Sequence, residues 1–100
     1  MTPHIRPEAR ADILEAAQWY EERQEGLGVA FVAEVDRSVS LIAQGPERYA
    51  VAYRTLRRII MRRFPYGIYY VFDASEVVVF SVLHQSRDRK LLDERLPKPD

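Results

Sequence analysis

Residues 57–72, RRIIMRRFPYGIYYVF, and residues 77–83, VVVFSVL, decide the fold. In the first run Arg58, Ile60, Arg62 and Phe64 alternate with Arg57, Ile59, Met61 and Arg63, which is the two-residue period of a strand over 57–64. Tyr66 to Phe72 is rich in aromatic and β-branched residues and predicts a second strand. Pro65 belongs to the turn between them, because it cannot donate to a ladder. Asp73-Ala74-Ser75-Glu76 reads as the next turn, and Val77 to Leu83 as a third strand. That strand is apolar on both faces, Val77, Val79 and Leu83 on one and Val78, Phe80 and Val82 on the other. It is therefore expected at the centre of an antiparallel meander, with one face against helices.

Upstream, the period changes from two to between three and four. Ala9, Ile13, Ala16, Ala17 and Tyr20 give one buried stripe to a helix over 8–24, with Pro7 in its first turn and Gly26 as its stop. Phe31, Val35, Val39 and Ile42 give a second stripe, on a helix that starts near Leu27 or Gly28 and ends at Gly45-Pro46. The short link predicts an antiparallel helix hairpin. Pro3 to Arg6 reads as a short extended segment, residues 46–55 as a loop, and residues 89–96 as a last short helix capped by Asp88 and closed by Pro97 and Pro99. The expected fold is α+β of order β-α-α-β-β-β-(α), a helix hairpin packed on a small antiparallel sheet. At 100 residues it is one domain, residues 1–100.

Composition narrows the function classes. Fifteen basic residues balance fifteen acidic ones, so bulk charge gives no argument for nucleic acid or a membrane surface. The charges are unevenly spread. Within residues 1–36, Arg6, Arg10 and Arg23 stand against Glu8, Asp12, Glu15, Glu21, Glu22, Glu25, Glu34 and Asp36. Arg48, Arg54, Arg57, Arg58, Arg62 and Arg63 then follow, with no acidic residue between 48 and 72. The chain has no cysteine, which excludes disulfides and thiolate zinc sites. Its histidines, His4 and His84, stand too far apart in sequence to suggest a metal site. No apolar run approaches a membrane span and the N-terminus lacks a signal-peptide core, so a cytoplasmic protein is expected.

Three stretches together resemble the RelE/ParE toxin superfamily of type II toxin–antitoxin systems. They are Pro7-Glu8-Ala9-Arg10-Ala11-Asp12-Ile13 with Trp19-Tyr20, then Arg62-Arg63-Phe64-Pro65-Tyr66-Gly67-Ile68-Tyr69-Tyr70, then Val82-Leu83-His84 with Arg87-Asp88. The resemblance covers roughly residues 3–95. It implies two helices on a small sheet, a cytoplasmic toxin acting without a cofactor, plasmid stabilisation through growth inhibition, and neutralisation by a cognate antitoxin. It also implies one of two activities. RelE-like members cleave mRNA in the ribosomal A site; ParE-like members poison DNA gyrase. The basic residue that RelE-like members carry early in the middle strand falls near Gly67, and their C-terminal tyrosine near Asp93. Both departures favour the ParE-like branch, as do the Phe64-Pro65-Tyr66 segment and the ending Leu83-His84 followed by Arg87. Arg89-Lys90-Leu91-Leu92 stands where many relatives carry a proline and later a tryptophan.

The candidate residues each have a functional and a plain reading. Trp19 lies outside the buried stripe and suits a partner anchor, or else closes the core edge. Arg58, Arg62 and Arg87 are the expected contacts to a target or to acidic antitoxin residues, or else line a solvated rim. Tyr69 opposes Tyr70 on its strand; Tyr70 is expected in the core, and Tyr69 either meets a partner or packs beside a helix. In the nuclease alternative, Arg62, Arg63, His84 and Arg87 supply proton transfer and phosphate stabilisation; otherwise His84 only satisfies a strand-end hydrogen bond. Direct sequence-specific DNA binding is not expected. A third reading is a detoxified relative that retains only its antitoxin.

Overall fold

The computed structural model describes residues 2–87 and 89–96. Asp88, Pro97 and Pro99, and the cap and stops assigned to them, lie outside the described residues. The order is β1 (Thr2–Ile5), α1 (Pro7–Arg23), α2 (Leu27–Gln44), a 3-10 turn (Pro46–Arg48), β2 (Val51–Tyr53), β3 (Leu56–Ile60), β4 (Tyr66–Phe72), β5 (Glu76–His84) and α3 (Lys90–Arg95). The fold class is the α+β arrangement expected, with the sheet ordered β1-β5-β4-β3-β2. The sheet is antiparallel from β2 to β5, while β1 joins it in parallel beside β5, Thr2 opposite Glu76 and Ile5 opposite Val79. β5 is thus internal to the sheet, as its apolar faces require.

The two faces of the sheet carry different cores. Phe31, Val35 and Ile42 of α2 close over Ile59, Ile68, Tyr70, Val77, Val79 and Val82. On the other face Leu92 of α3 closes over Leu56, Tyr69, Phe80 and Leu83. The strand alternation predicted for β5 breaks partway. Tyr70 opposes Val79 and Tyr69 opposes Ser81, so β5 carries an extra residue at Phe80. This bulge turns Val82 to the helix-hairpin side and Leu83 to the α3 side, the reverse of the simple alternation.

Two further differences concern the middle of the chain. Residues 46–55 form a 3-10 turn and a short edge strand, with Val51 opposite Arg57 and Tyr53 opposite Leu56. The hairpin turns through Arg54 in the left-handed region, φ 51°, rather than through a glycine or asparagine. The strand expected over 57–64 ends at Ile60. Met61 is buried beside Phe64, and Arg63 turns the chain at φ 70°. Arg62 and Arg63 therefore stand on a turn, and the pairing of Arg58 with Arg62 on one strand face does not hold.

The helix hairpin is tied at its tip. The Glu21 carboxylate accepts the Gly26 and Gly28 amides, at 3.0 and 2.9 Å, which satisfies donors at the open start of α2. Gly26 takes φ 90°. Gly28 lets the helices close up, since a Cβ there would lie 2.8 Å from the Ala17 carbonyl oxygen.

Candidate functional site

The end of the sheet where β3 finishes, β4 begins and β5 finishes gathers most of the candidate residues. Tyr66 opposes His84 across the ladder, and the Gln85 amide donates to the Pro65 carbonyl at 2.8 Å. The turn bearing Arg62 and Arg63 therefore lies at the same end as His84 and Arg87. Phe64 points inward, into a run of rings that includes Phe31 at 5.2 Å and Tyr20 at 4.8 Å. Tyr66 continues the run to His84, edge to face at 5.2 Å. Trp19 meets Tyr20 edge to face at 5.1 Å and carries the run to the surface.

These rings wall a cleft of about 460 Å³ between α1 and the strand ends, lined by Glu15, Trp19, Tyr20, Glu22, Tyr66 and His84 among others. A smaller cavity of about 80 Å³ adjoins it, lined by Arg87, Asp12, Glu15 and Tyr66 among others. Trp19 is 49% exposed and its ring lies under the Arg23 guanidinium at 3.5 Å. Glu15, Gln18 and Glu22 line the cleft beside the residues that the sequence singles out. The signal was present: Glu15 precedes Trp19 by four residues, and residues so spaced share a helix face. Burial pushes the Tyr66 hydroxyl above its ordinary range, with Tyr20 and Glu15 adding to the effect and Arg87 opposing it.

The His84 ring is oriented by its own turn. Its Nδ1 accepts the Ser86 amide at 3.0 Å and lies 2.8 Å from Ser86 Oγ. A nitrogen that accepts an amide hydrogen carries its lone pair there, so the neutral ring holds its proton on Nε2. In this arrangement Nε2 is a donor, and a base role at that atom would need the Ser86 contact broken. Arg62 is exposed and makes no side-chain hydrogen bond or ion pair among the described residues. Arg63 lies over the Phe64 ring at 5.4 Å.

Arg58 and Tyr69 belong to the opposite face. Tyr69 is 6% exposed and packs under α3, so its ring is not a surface anchor. Arg58 reaches across it, its Nη1 donating to the Tyr69 hydroxyl at 3.4 Å. Its stem fills the space above Gly67, where a Cβ would sit 2.9 Å from Arg58 Cδ. The position lacking a basic residue in sequence is thus overlain by a cation from the neighbouring strand. Arg57 is engaged internally, donating to the Tyr49 carbonyl at 2.6 Å and lying over Phe72 at 5.3 Å.

The C-terminal helix is fastened from several sides. Asp93 accepts the Tyr53 hydroxyl at 2.8 Å and Arg54 Nε at 2.7 Å, and Arg89 donates to the Ala52 carbonyl at 3.1 Å. Arg95 donates to both Asp12 oxygens, at 2.6 and 3.0 Å, and to Ser81 Oγ at 2.7 Å. The acidic face of α1 thus neutralises Arg95 of α3; among the described residues it makes no ion pair with the mid-chain arginines. Among the described residues, no group of three or more His, Cys, Asp or Glu is disposed to hold a metal ion, and no helix is long and apolar enough to cross a membrane.

The family model for the ParE toxin of type II toxin–antitoxin systems, parDE, matches residues 4–89. The chain belongs to the ParE toxin family. A solved structure of the chromosomal ParDE toxin–antitoxin system from P. aeruginosa shares the ParE fold with it, at a TM-score of 0.75 and 15% identity. The match covers 84% of this chain and 95% of that one. No curated protein matches the chain in sequence. Within this ParE-family chain, the matched span takes in the helix hairpin, strands β2 to β5, the second half of β1 and the cleft.

Proposed function

We propose that this ParE-family chain is the toxin of a toxin–antitoxin pair, that it acts in the cytoplasm by binding DNA gyrase, and that a cognate antitoxin neutralises it. The observation that carries the choice of target is the state of Asp93. The nuclease branch of the superfamily is expected to place a phenol there, free to join proton transfer. Here a carboxylate stands in its place, and Tyr53 and Arg54 hold it. His84, with Nδ1 engaged by Ser86, offers no base at Nε2. The sheet end suits recognition: it offers a stacked Trp19, an Arg62 that is unpaired among the described residues, and Arg87 beside an aromatic cleft. Such a set of aromatic and arginine anchors suits a protein partner. Purified chain added to a gyrase supercoiling assay tests the reading. Inhibition at micromolar concentration supports it, and unchanged supercoiling counts against it.

One observation favours the second reading, a ribosome-dependent endoribonuclease working through Arg62, Arg63, His84 and Arg87. Arg58 lies over Gly67, supplying a cation near the place where that branch carries one. Mapping transcript 5′ ends after induction separates the two, since A-site cuts appear only if RNA is the target.

A further inference from the structure

Glu15, Gln18, Trp19 and Glu22 line the sheet-end cleft from α1. Their spacing places them in one stripe of about two helical turns. Glu15 and Glu22 stand at the ends of the stripe, about 10 Å apart along the helix axis, with the Trp19 indole between them. Tyr20 and Tyr66 supply two more rings, and no lysine or arginine lines the cavity. Its volume of about 460 Å³ falls within the roughly 300–1,000 Å³ of small-molecule sites. The polar groups that converge here are left without protein partners. Glu15 makes no hydrogen bond or ion pair among the described residues, and the Gln18 side chain and the Tyr20 and Tyr66 hydroxyls make no hydrogen bond there. Glu22 has only the Arg23 guanidinium, at 3.9 Å. That guanidinium also lies over the Trp19 ring at 3.5 Å, so the indole already draws a cation to the rim. Arg87 lines the adjoining smaller cavity instead.

We propose that this cleft binds a linear aliphatic polyamine, with its terminal ammonium groups at Glu15 and Glu22 and its methylene chain over the Trp19 ring. The lining selects the class of ligand. Carboxylates and free phenol oxygens around aromatic faces favour a cation and disfavour an anion. The aromatic walls take up an aliphatic chain that a hydrated metal ion does not have. The spacing selects the length. A ligand with one ammonium group leaves one carboxylate unanswered, and charge-assisted hydrogen bonds at both ends are the stronger arrangement. An extended chain of spermidine length reaches both carboxylates, whereas a four-carbon diamine does not. The inference goes beyond the toxin reading and holds whether or not the chain meets gyrase or an antitoxin.

Trp19 is the chain's single tryptophan, so its emission reports on the cleft directly. The full chain is titrated with spermidine at about 0.15 M ionic strength, with calorimetry as a second readout. Putrescine and N-acetyl-lysine amide are titrated alongside. The variants are Glu15→Gln and Glu22→Gln in the cleft, and Glu76→Gln at the opposite end of β5, which removes the same charge elsewhere. All three positions are exposed, and melting temperature confirms that each variant folds. The expected result is saturable spermidine binding at one site, weakened roughly threefold or more by each cleft variant and unchanged by Glu76→Gln. Putrescine and the lysine amide should bind more weakly. No saturable response to spermidine, or an equal loss from all three variants, overturns the site. Undiminished binding by the cleft variants does the same. Equal binding of putrescine overturns the seat on two carboxylates. Equal binding of the lysine amide overturns the polyamine in favour of a basic side chain of a partner protein.

Discussion

Asp12 on α1 and Arg95 on α3 form a two-pronged ion pair across the free part of the β5 edge, with the same Asp12 carboxylate accepting the Val82 amide at 3.0 Å. β1 covers that edge as far as Val79. Beyond it, the side chain of Asp12 does for Val82 what a neighbouring strand would do. The pair is 13–15% exposed at its side chains, so each charge depends on the other.

Breaking the pair by Arg95→Ala leaves Asp12 with the Val82 amide alone. The expected cost is about 3 kcal/mol, the low end of the range of roughly 3–5 for removing one partner of a buried pair, because both side chains keep some exposure. Chemical denaturation measures it. Restoring neutrality with Asp12→Asn in the same chain should recover part of the loss.

Asp93 predicts an acid-sensitive attachment of α3. The Tyr53 hydroxyl, with Arg54 second, holds its carboxyl below the usual carboxylate range. A depressed carboxyl stabilises the fold above its unfolded value, about 3.9, and that contribution is lost as pH falls through the lower folded value. Hydrogen exchange of the α3 amides should accelerate below about pH 4, before the amides of β4 and β5. Asp93→Asn should remove that pH dependence.

At the alkaline end the most strongly shifted tyrosine is Tyr70, with Tyr20 and Tyr66 raised less. Burial pushes the Tyr70 hydroxyl up to about 12, against the opposing pull of Arg57. The folded state therefore keeps this proton to higher pH than the unfolded chain does. Stability is complete below the ordinary tyrosine value, about 10, and falls as pH rises from there to the folded value. Tyr70→Phe also loses the hydrogen bond that the hydroxyl donates to the Pro46 carbonyl. It should cost about 1 kcal/mol near neutral pH and flatten the alkaline decline, both readable from melts across pH.

Gly28→Ala should separate the helices. The new methyl meets the backbone oxygen of Ala17, which cannot swing aside as a side chain can. A loss of about 1–3 kcal/mol is expected, with Trp19 emission shifted if the cleft reshapes.

Arg62→Glu and Arg87→Glu carry the functional prediction. Both residues are exposed, so stability should change by under about 0.5 kcal/mol. Growth arrest on induction should weaken for each. Full toxicity in the double variant would remove the sheet end from the mechanism.

How much of this was legible beforehand follows from where the physics is local. The α2 stripe is buried along its length, Phe31 and Ile42 completely, because a helical period depends only on neighbours a turn away. Tyr70 in the core was equally legible. The β2–β3 hairpin was not, because Arg54 turns it without the usual turn residue and is held by Asp93, distant in sequence. The bulge at Phe80 was invisible for a similar reason: an extra residue in one strand is defined only by its partner. At the site, Trp19, His84 and Arg87 could be picked by residue type. That Tyr69 is covered depends on α3, and the cleft wall at Glu15 depends on how α1 crosses the strand ends.

The parallel pairing of β1 with β5 joins the first residues of the chain to residues 76–79. During synthesis β1 has no partner until residues 76–79 have emerged, whereas the helix hairpin needs only the residues up to the end of α2. Contacts of such long sequence separation are slow to form. A ribosome that stalls before β5 therefore releases a hairpin with half a sheet. The sheet end that carries Arg62, His84 and Arg87 is complete only once β5 has been made.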